Sequence, residues 1–186
     1  MEIRTAQPSD LQRLGDIDGT VDSAHYLHLE RNGDGLGFSF VLQQRPLRQR
    51  LIQRNVLEDD LHFAIKQVVT GIEDGVAVVA EHEGELIALG AAQVQAALRT
   101  LELLDLRVDF DFRRQGIGSA LLFQLITAAR ERKLRAVTVR NKANNQPAHQ
   151  LLARTGFDLA GLDTHFTSNH DLVKEQVTLF WYAALE

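Results

Sequence analysis

The sequence predicts one domain of the α/β (α+β) class, and three observations carry that expectation. Short apolar runs of strand type dominate from residue 74 onward. One long helix with a continuous apolar stripe interrupts them. No repeat, linker or low-complexity tract divides the 186 residues. A chain of this length suits a single domain spanning 1–186 with a sizeable core, and its 45% hydrophobic and 24% charged residues are ordinary globular proportions.

Taken in order, Ile3 opens a short strand, and Pro8-Ser9-Asp10 predicts a helix N-terminus with Leu11, Leu14 and Ile17 on one face. Residues 24–29 predict a strand before the turn cluster Asn32-Gly33-Asp34-Gly35. Between Pro46 and Gly71 the spacing predicts helix in two pieces. Leu47, Leu51 and Ile52 carry the first; Leu61, Ile65 and Val69 carry the second. The runs 76–80 and 86–92 flank Glu83-Gly84 as a hairpin, and 101–108 predict a strand buried on both faces except at Glu102, Asp105 and Arg107. After Gly118, Leu121, Leu122, Leu125, Ile126 and Ala129 form a helical stripe, with Arg130, Arg132 and Lys133 at the negative end of its dipole. A strand at 136–139 follows. Asn145 then caps a short helix with Pro147 in its first turn and Gly156 at its end, and 157–160 and 176–182 predict the last two strands.

Composition narrows the chemistry. The chain has no cysteine, which excludes disulfides, thiolate metal sites and a cysteine nucleophile. A net charge of -5 and a pI near 5.8 argue against a nucleic-acid binder. The start Met1-Glu2-Ile3-Arg4 lacks a basic-then-apolar leader, and no apolar run approaches the ~18 residues of a membrane span, so a cytoplasmic protein without membrane contact is expected. The seven histidines show no metal spacing; His25 and His28 would point to opposite faces of a strand, so no metal is expected. Phe38, Phe40, Phe166 and Trp181 are expected in the core.

The informative stretch runs from Val108 through Arg113-Arg114-Gln115-Gly116-Ile117-Gly118-Ser119: a strand, a turn, and a helix opening on two glycines after two arginines. Amide N–H groups at a helix start carry partial positive charge, glycine admits close approach, and guanidinium groups add charged donors, all of which suit a pyrophosphate. The same glycines would also serve a plain tight turn. A Rossmann turn does not fit, because Leu121 stands at the third glycine position and no acidic residue follows on the next strand. No Walker Lys-Ser/Thr follows the glycines either.

Arg113-x-x-Gly116-x-Gly118, preceded by Val108, resembles the Q/R-x-x-G-x-G/A signature of the GNAT acetyltransferase superfamily. Asn145-x-x-Ala148 with Gly156-Phe157 resembles its second block. Ile3-Arg4-x-Ala6 with Ser9-Asp10-Leu11 resembles its opening strand and helix. The segment from Gly156-Phe157 through Gly161-Leu162-Asp163 to Leu179-Phe180-Trp181-Tyr182 is more narrowly similar to streptothricin acetyltransferases. The resemblance covers the chain well from about residue 74, less well at the N-terminus, and poorly over 19–72. It implies a mixed, mainly antiparallel sheet flanked by helices, acetyl-CoA as co-substrate, and direct transfer to a small-molecule amine, with a homodimer left open. Leu106, Arg107 and Val108 would offer main-chain groups to the pantetheine arm. Arg113, Arg114, Gln115, Gly116, Ile117, Gly118 and Ser119 would hold the pyrophosphate. Asn145 and Ala148 would meet the cofactor from the next helix, though Asn145 in isolation is better explained as a helix cap, a role it can fill at the same time.

The transfer needs a neutral amine. Deprotonating a lysine-like amine of pKa ~10.4 at pH 7 costs about 4–5 kcal/mol, which calls for a base. Glu102, six residues before Val108 where related histone acetyltransferases place their glutamate, is the expected base, with Asp105 in reserve. A solvated charge near a strand end is the other reading of Glu102. The family's usual acid, a tyrosine four residues after Ala148, is replaced by Leu152. Expelling a thiol of pKa ~8.5 unprotonated costs about 2 kcal/mol, so this replacement predicts slower turnover. It also admits a degenerate domain that only binds acyl-CoA, and a protein lysine or N-terminal amine remains an alternative acceptor. Tyr26 and His149 are candidate substitutes for the acid, and Tyr26, Phe38 and His165 are candidate linings of an acceptor cleft.

Overall fold

The computed structural model describes residues 1–185. Its frame is a seven-stranded sheet in the order β1-β4-β5-β6-β7-β9-β8. The strands are β1 (Glu2–Thr5), β4 (Gly75–His82), β5 (Glu85–Gln95), β6 (Thr100–Val108), β7 (Ala136–Lys142), β8 (Asp158–Asp163) and β9 (Thr178–Ala184). All pairings are antiparallel except β6 with β7, which α2 (Ile117–Glu131) connects. A second, two-stranded sheet is the hairpin β2 (Val21–Asp34) and β3 (Gly37–Gln53). The mixed, mainly antiparallel sheet implied by the resemblance is what the chain builds.

Strand alternation divides the core in two. Val78, Ala80, Leu101, Val137 and Val139 pack under α2 and α3 (Gln146–Arg154), against Leu121, Leu122, Leu125 and Leu152. Ala77, Val79, Leu89 and Ala91 point the other way, onto Leu14, Ile17 and the Ile65 and Val68 of α1 (Asp59–Val69). Every residue of the stripe expected on α2 is buried, and burying one such aliphatic side chain contributes roughly 1.5–3 kcal/mol.

Two helical expectations are corrected. The expected helix after Pro8 is two short 3-10 turns, Pro8–Asp10 and Leu14–Asp16; Leu11, Leu14 and Ile17 are nonetheless all buried. The first piece expected after Pro46 is strand: 46–53 belong to β3, paired with β2 from Asp34↔Gly37 to Val21↔Gln53. Leu47 and Leu51 are four residues apart, a spacing that fits one face of a strand as well as a helix. Ile52, also assigned to that helix face, is 69% exposed. The second piece is α1, as expected. The aromatic expectation fails in part, since Trp181 is core while Phe38, Phe40 and Phe166 are exposed. Among the described residues no helix is long and apolar enough to cross a membrane.

Candidate active site

The parallel contact between β6 and β7 lasts three residues, Thr100↔Ala136 to Glu102↔Thr138, and then the strands part. Beyond Glu102 the edge of β6 that faces β7 has no strand partner, so its main-chain groups stand open to a ligand, except Val108 O, which accepts from Arg113 Nε. A cavity of about 350 Å³ fills the gap, walled by Leu103 to Val108 on one side and by Val139, Arg140 and Asn145 on the other. Its lining runs from the first turn of α2 to Gly19, Thr20 and Asn55, which lie beside Arg107.

The first turn of α2 presents backbone donors without a capping side chain to the cavity. Gly116 sits at the N-cap of α2 with φ of 82°, a left-handed conformation, and no side chain caps the helix. The amides of Ile117, Gly118 and Ser119 therefore open onto the cavity wall with their partial positive charge unneutralised. Gly118 is close-packed: a Cβ there would stand 3.2 Å from Leu151 Cδ2, which would have to give by a few tenths of an ångström, and 3.7 Å from Val108 Cγ2, an ordinary contact. Arg113 folds back, its Nε donating to Val108 O at 3.0 Å and its Nη2 to Asp18 O at 3.4 Å, with the guanidinium over Phe110. Burial lowers its pKa, with Asp18 and Asp109 pulling the other way. Arg114 and Gln115 are exposed turn residues, and Arg113, Arg114, Gly116 and Ser119 all line the cavity.

On the far wall, Asn145 and Ala148 are half-buried. The Asn145 side chain accepts from Ala148 N at 3.3 Å, so it is a helix cap, and both residues line the cavity. A second cap comes from the hairpin: Ser23 Oγ accepts from Gln146 N at 3.2 Å.

The two candidate bases differ sharply. Glu102 is half-buried at the point where the strands part, and its Oε1 is paired with Arg140 Nη2. Arg140 lines the cavity, whereas Glu102 stands one side chain behind it. Asp105 and Arg107, expected as exposed breaks in the strand, are buried at 8% and 3% exposure. They form a bidentate pair, Arg107 Nε to Asp105 Oδ2 at 2.5 Å and Nη2 to Oδ1 at 3.2 Å, and Arg107 Nη1 donates to Asn55 O at 3.0 Å. A bulge explains their burial. Ala91 pairs with Asp105 but Ala92 with Leu103, which leaves Leu104 as an extra residue. Leu101, Leu103, Leu106 and Val108 thus share the α2 core while Leu104 joins the opposite one.

Residues 41–157, more than half of the chain, match the acetyltransferase (GNAT) family. The chain belongs to the GNAT acetyltransferase family. It is an acetyl-CoA-dependent N-acetyltransferase, and an open strand edge facing an uncapped helix start within one cavity fits a pantetheine arm and its pyrophosphate. Over 165 residues it is 27% identical to streptothricin acetyltransferase of Streptomyces lavendulae, covering 88% of this chain and 84% of that one. Over 78 residues it is 31% identical to streptothricin acetyltransferase A of Bacillus subtilis (strain 168), covering 42% and 44%. The crystal structure of nourseothricin acetyltransferase superposes with a TM-score of 0.78 at 25% identity, covering 100% of this chain and 98% of that one. A Bacillus anthracis protein solved in complex with acetyl coenzyme A superposes at 0.77 with 18% identity, covering 100% and 98%.

Neither candidate substitute for the missing acid is placed to serve this acetyltransferase. His149 is buried with both nitrogens engaged: Nε2 donates to Ala143 O at 2.9 Å, and Nδ1 accepts from Asn141 Nδ2 at 3.2 Å. Asn141 Oδ1 in turn accepts from Trp181 Nε1 at 2.8 Å, and the His149 and Trp181 rings stack. Tyr26 is buried, bonded to His28 Nδ1 at 2.8 Å, and burial followed by Glu175 raises its pKa, making it a weaker acid. Tyr26, Phe38 and His165 do not line the cavity. Leu152 does, and at 2% exposure it is also core, where a tyrosine would overpack. Among the described residues no group of three His, Cys, Asp or Glu side chains is gathered to hold a metal.

The sequence reading passed over Arg140, Asn55, Gly19 and Ser23. For Arg140 a signal existed, a cation directly after the apolar run that β7 contributes beside Glu102's strand.

His149 carries a pH prediction. Burial pushes its imidazole below the ordinary value of 6.5. Above that pH both folded and unfolded chains hold it neutral; below it the unfolded chain binds a proton that the folded chain refuses. Stability therefore falls as pH drops from about 6.5, by up to about 1.4 kcal/mol per pH unit, until the folded pKa is reached. Thermal denaturation between pH 7.5 and 5 should show this slope, and His149→Gln should flatten it. Equal slopes in both proteins would refute the assignment.

Proposed function

We propose that the chain moves the acetyl group of acetyl-CoA directly onto a primary amine of a small molecule, with streptothricin-type amines foremost. The observation that carries this reading is the parting of β6 and β7 beside an uncapped helix start, which leaves one cavity lined by both, with Gly19, Thr20 and Asn55 also on its wall. A donor and an acceptor can then meet in that cavity, and no covalent enzyme intermediate is required. The main chain of Leu106, Arg107 and Val108 serves the pantetheine arm as an added strand would. The amides from Gly116 to Ser119 take the pyrophosphate, with Arg113, Arg114 and Gln115 around them, and Asn145 and Ala148 close the far wall. Acetyl-CoA supplies an activated acyl group with a thiol as leaving group.

Glu102 is the base, acting directly or through one water. The ammonium enters, loses one proton to Glu102 and the second as the C–N bond forms and the C–S bond breaks; the products are the amide, the free thiol and one proton. Asp105 is the reserve base, but Arg107 takes both its oxygens. On this reading the protein works in the cytoplasm, with acetyl-CoA and the small amine as its partners.

The test is thiol release from acetyl-CoA against nourseothricin, an aminoglycoside, free lysine and a peptide with a lysine and a free N-terminus. Release with nourseothricin well above the other amines is expected. Fastest release with the peptide would move the acceptor to proteins, and no release with any amine would end the proposal.

A further inference from the structure

Arg140 lines the cavity near the place where β6 and β7 part, and its side chain reaches Glu102. Its guanidinium has two neighbours. One is Glu102 Oε1; the other is the ring of Phe166, 5.5 Å away. Phe166 stands edge-on to Phe180, ring centroids 5.9 Å apart, and Phe180 is the cross-strand partner of Arg140 on β9. Ring and carboxylate thus hold the guanidinium from two sides. Arginine suits this, because its planar group stacks on an aromatic face and still presents donors along its edge.

Glu102 has no comparable support. Among the described residues Arg140 is its only ionic partner, and Arg140 lines the cavity while Glu102 does not. A glutamate side chain left alone samples several rotamers, and a base displaced by about 1 Å can cost on the order of 100-fold in rate.

We propose that Arg140 is the positioning residue of this site: held over Phe166, it fixes the Glu102 carboxylate by one oxygen and leaves the other for the acceptor's proton. The inference rests on Glu102 being the base. Phe166, 46% exposed and therefore removable without loss of core, is the second member of the device.

The test is a double-mutant cycle with acetyl-CoA and nourseothricin, joined to crystal structures of the wild type and Arg140→Met. Arg140→Met should lower kcat on the order of tenfold or more, Arg140→Lys and Phe166→Leu less, all with KM for acetyl-CoA within about twofold. On a Glu102→Gln background none of the three should lower kcat further. In the Arg140→Met crystal the carboxylate should leave its single wild-type rotamer. Equal losses on both backgrounds, a raised KM for acetyl-CoA, or an unmoved Glu102 in that crystal would each overturn the proposal. If Glu102→Gln alone leaves kcat intact, the base assignment itself is wrong, which is a separate failure. Should nourseothricin not be turned over, the crystals alone decide the positioning claim.

Discussion

Gly116→Glu removes measurable acetyl-CoA binding while the protein keeps its fold. A Cβ at this position would meet nothing within 4 Å, so the steric cost lies in the backbone alone. Holding a non-glycine residue at φ of 82° costs about 1–2 kcal/mol. The helix itself tolerates the new side chain, because a carboxylate is favourable at a positive dipole end. That favourable contact is also what destroys the site. The glutamate occupies the free amides of Ile117, Gly118 and Ser119, and its charge repels the incoming diphosphate. Calorimetry with acetyl-CoA should show affinity at least 100-fold weaker, an order of magnitude based on the loss of charge-assisted hydrogen bonds and the added like charge. Gly116→Ala isolates the backbone share and should lose less than about tenfold. Binding of the glutamate variant within about threefold of wild type would remove the pyrophosphate from this helix.

The parts of the fold that were legible in the sequence have local causes. From β4 onward each strand is an apolar run bounded by turn residues, and α2 carries its stripe in full, so period and punctuation suffice. The hairpin is different. Most side chains of β3 are exposed, so no alternation marks the strand, and it forms because β2 supplies partners on either side of an irregularity at 47–50. Leu47 and Leu51 then satisfy two periods at once, and only pairing decides between them.

The site divides in the same way. Gly116, Gly118 and Asn145 are visible because a turn and a cap are local chemistry. Asp105 and Arg107 looked solvated because charge on a strand usually is; yet their spacing of two already placed each within reach of the other, and pairing removes the need for water. The Leu104 bulge that turns them inward depends on the register with β5. The contact between Glu102 and Arg140 depends on β7 lying beside β6, which α2 has to bring about.

Glu102→Gln and Asp105→Asn should fail in opposite ways, and the contrast identifies the base. Glutamine keeps the size of Glu102 and can still accept from Arg140, but it cannot take a proton. Because Glu102 is half-buried at the surface of the gap, stability should move by less than about 1 kcal/mol. Loss of a general base should lower kcat on the order of 100-fold to 1,000-fold with KM for acetyl-CoA unchanged. Asparagine at 105 leaves Arg107 charged and 3% exposed without a counter-charge, with only an amide oxygen and the Asn55 carbonyl to accept from it. Removing one partner of a buried pair costs about 3–5 kcal/mol, which thermal or urea denaturation reads directly. The loops around Gly19 and Asn55, which meet at Arg107, should loosen with it and raise KM for the amine more than they lower kcat. A collapse of kcat in Asp105→Asn with stability intact, beside an active Glu102→Gln, would transfer the proton step to Asp105 and make the buried pair the working base.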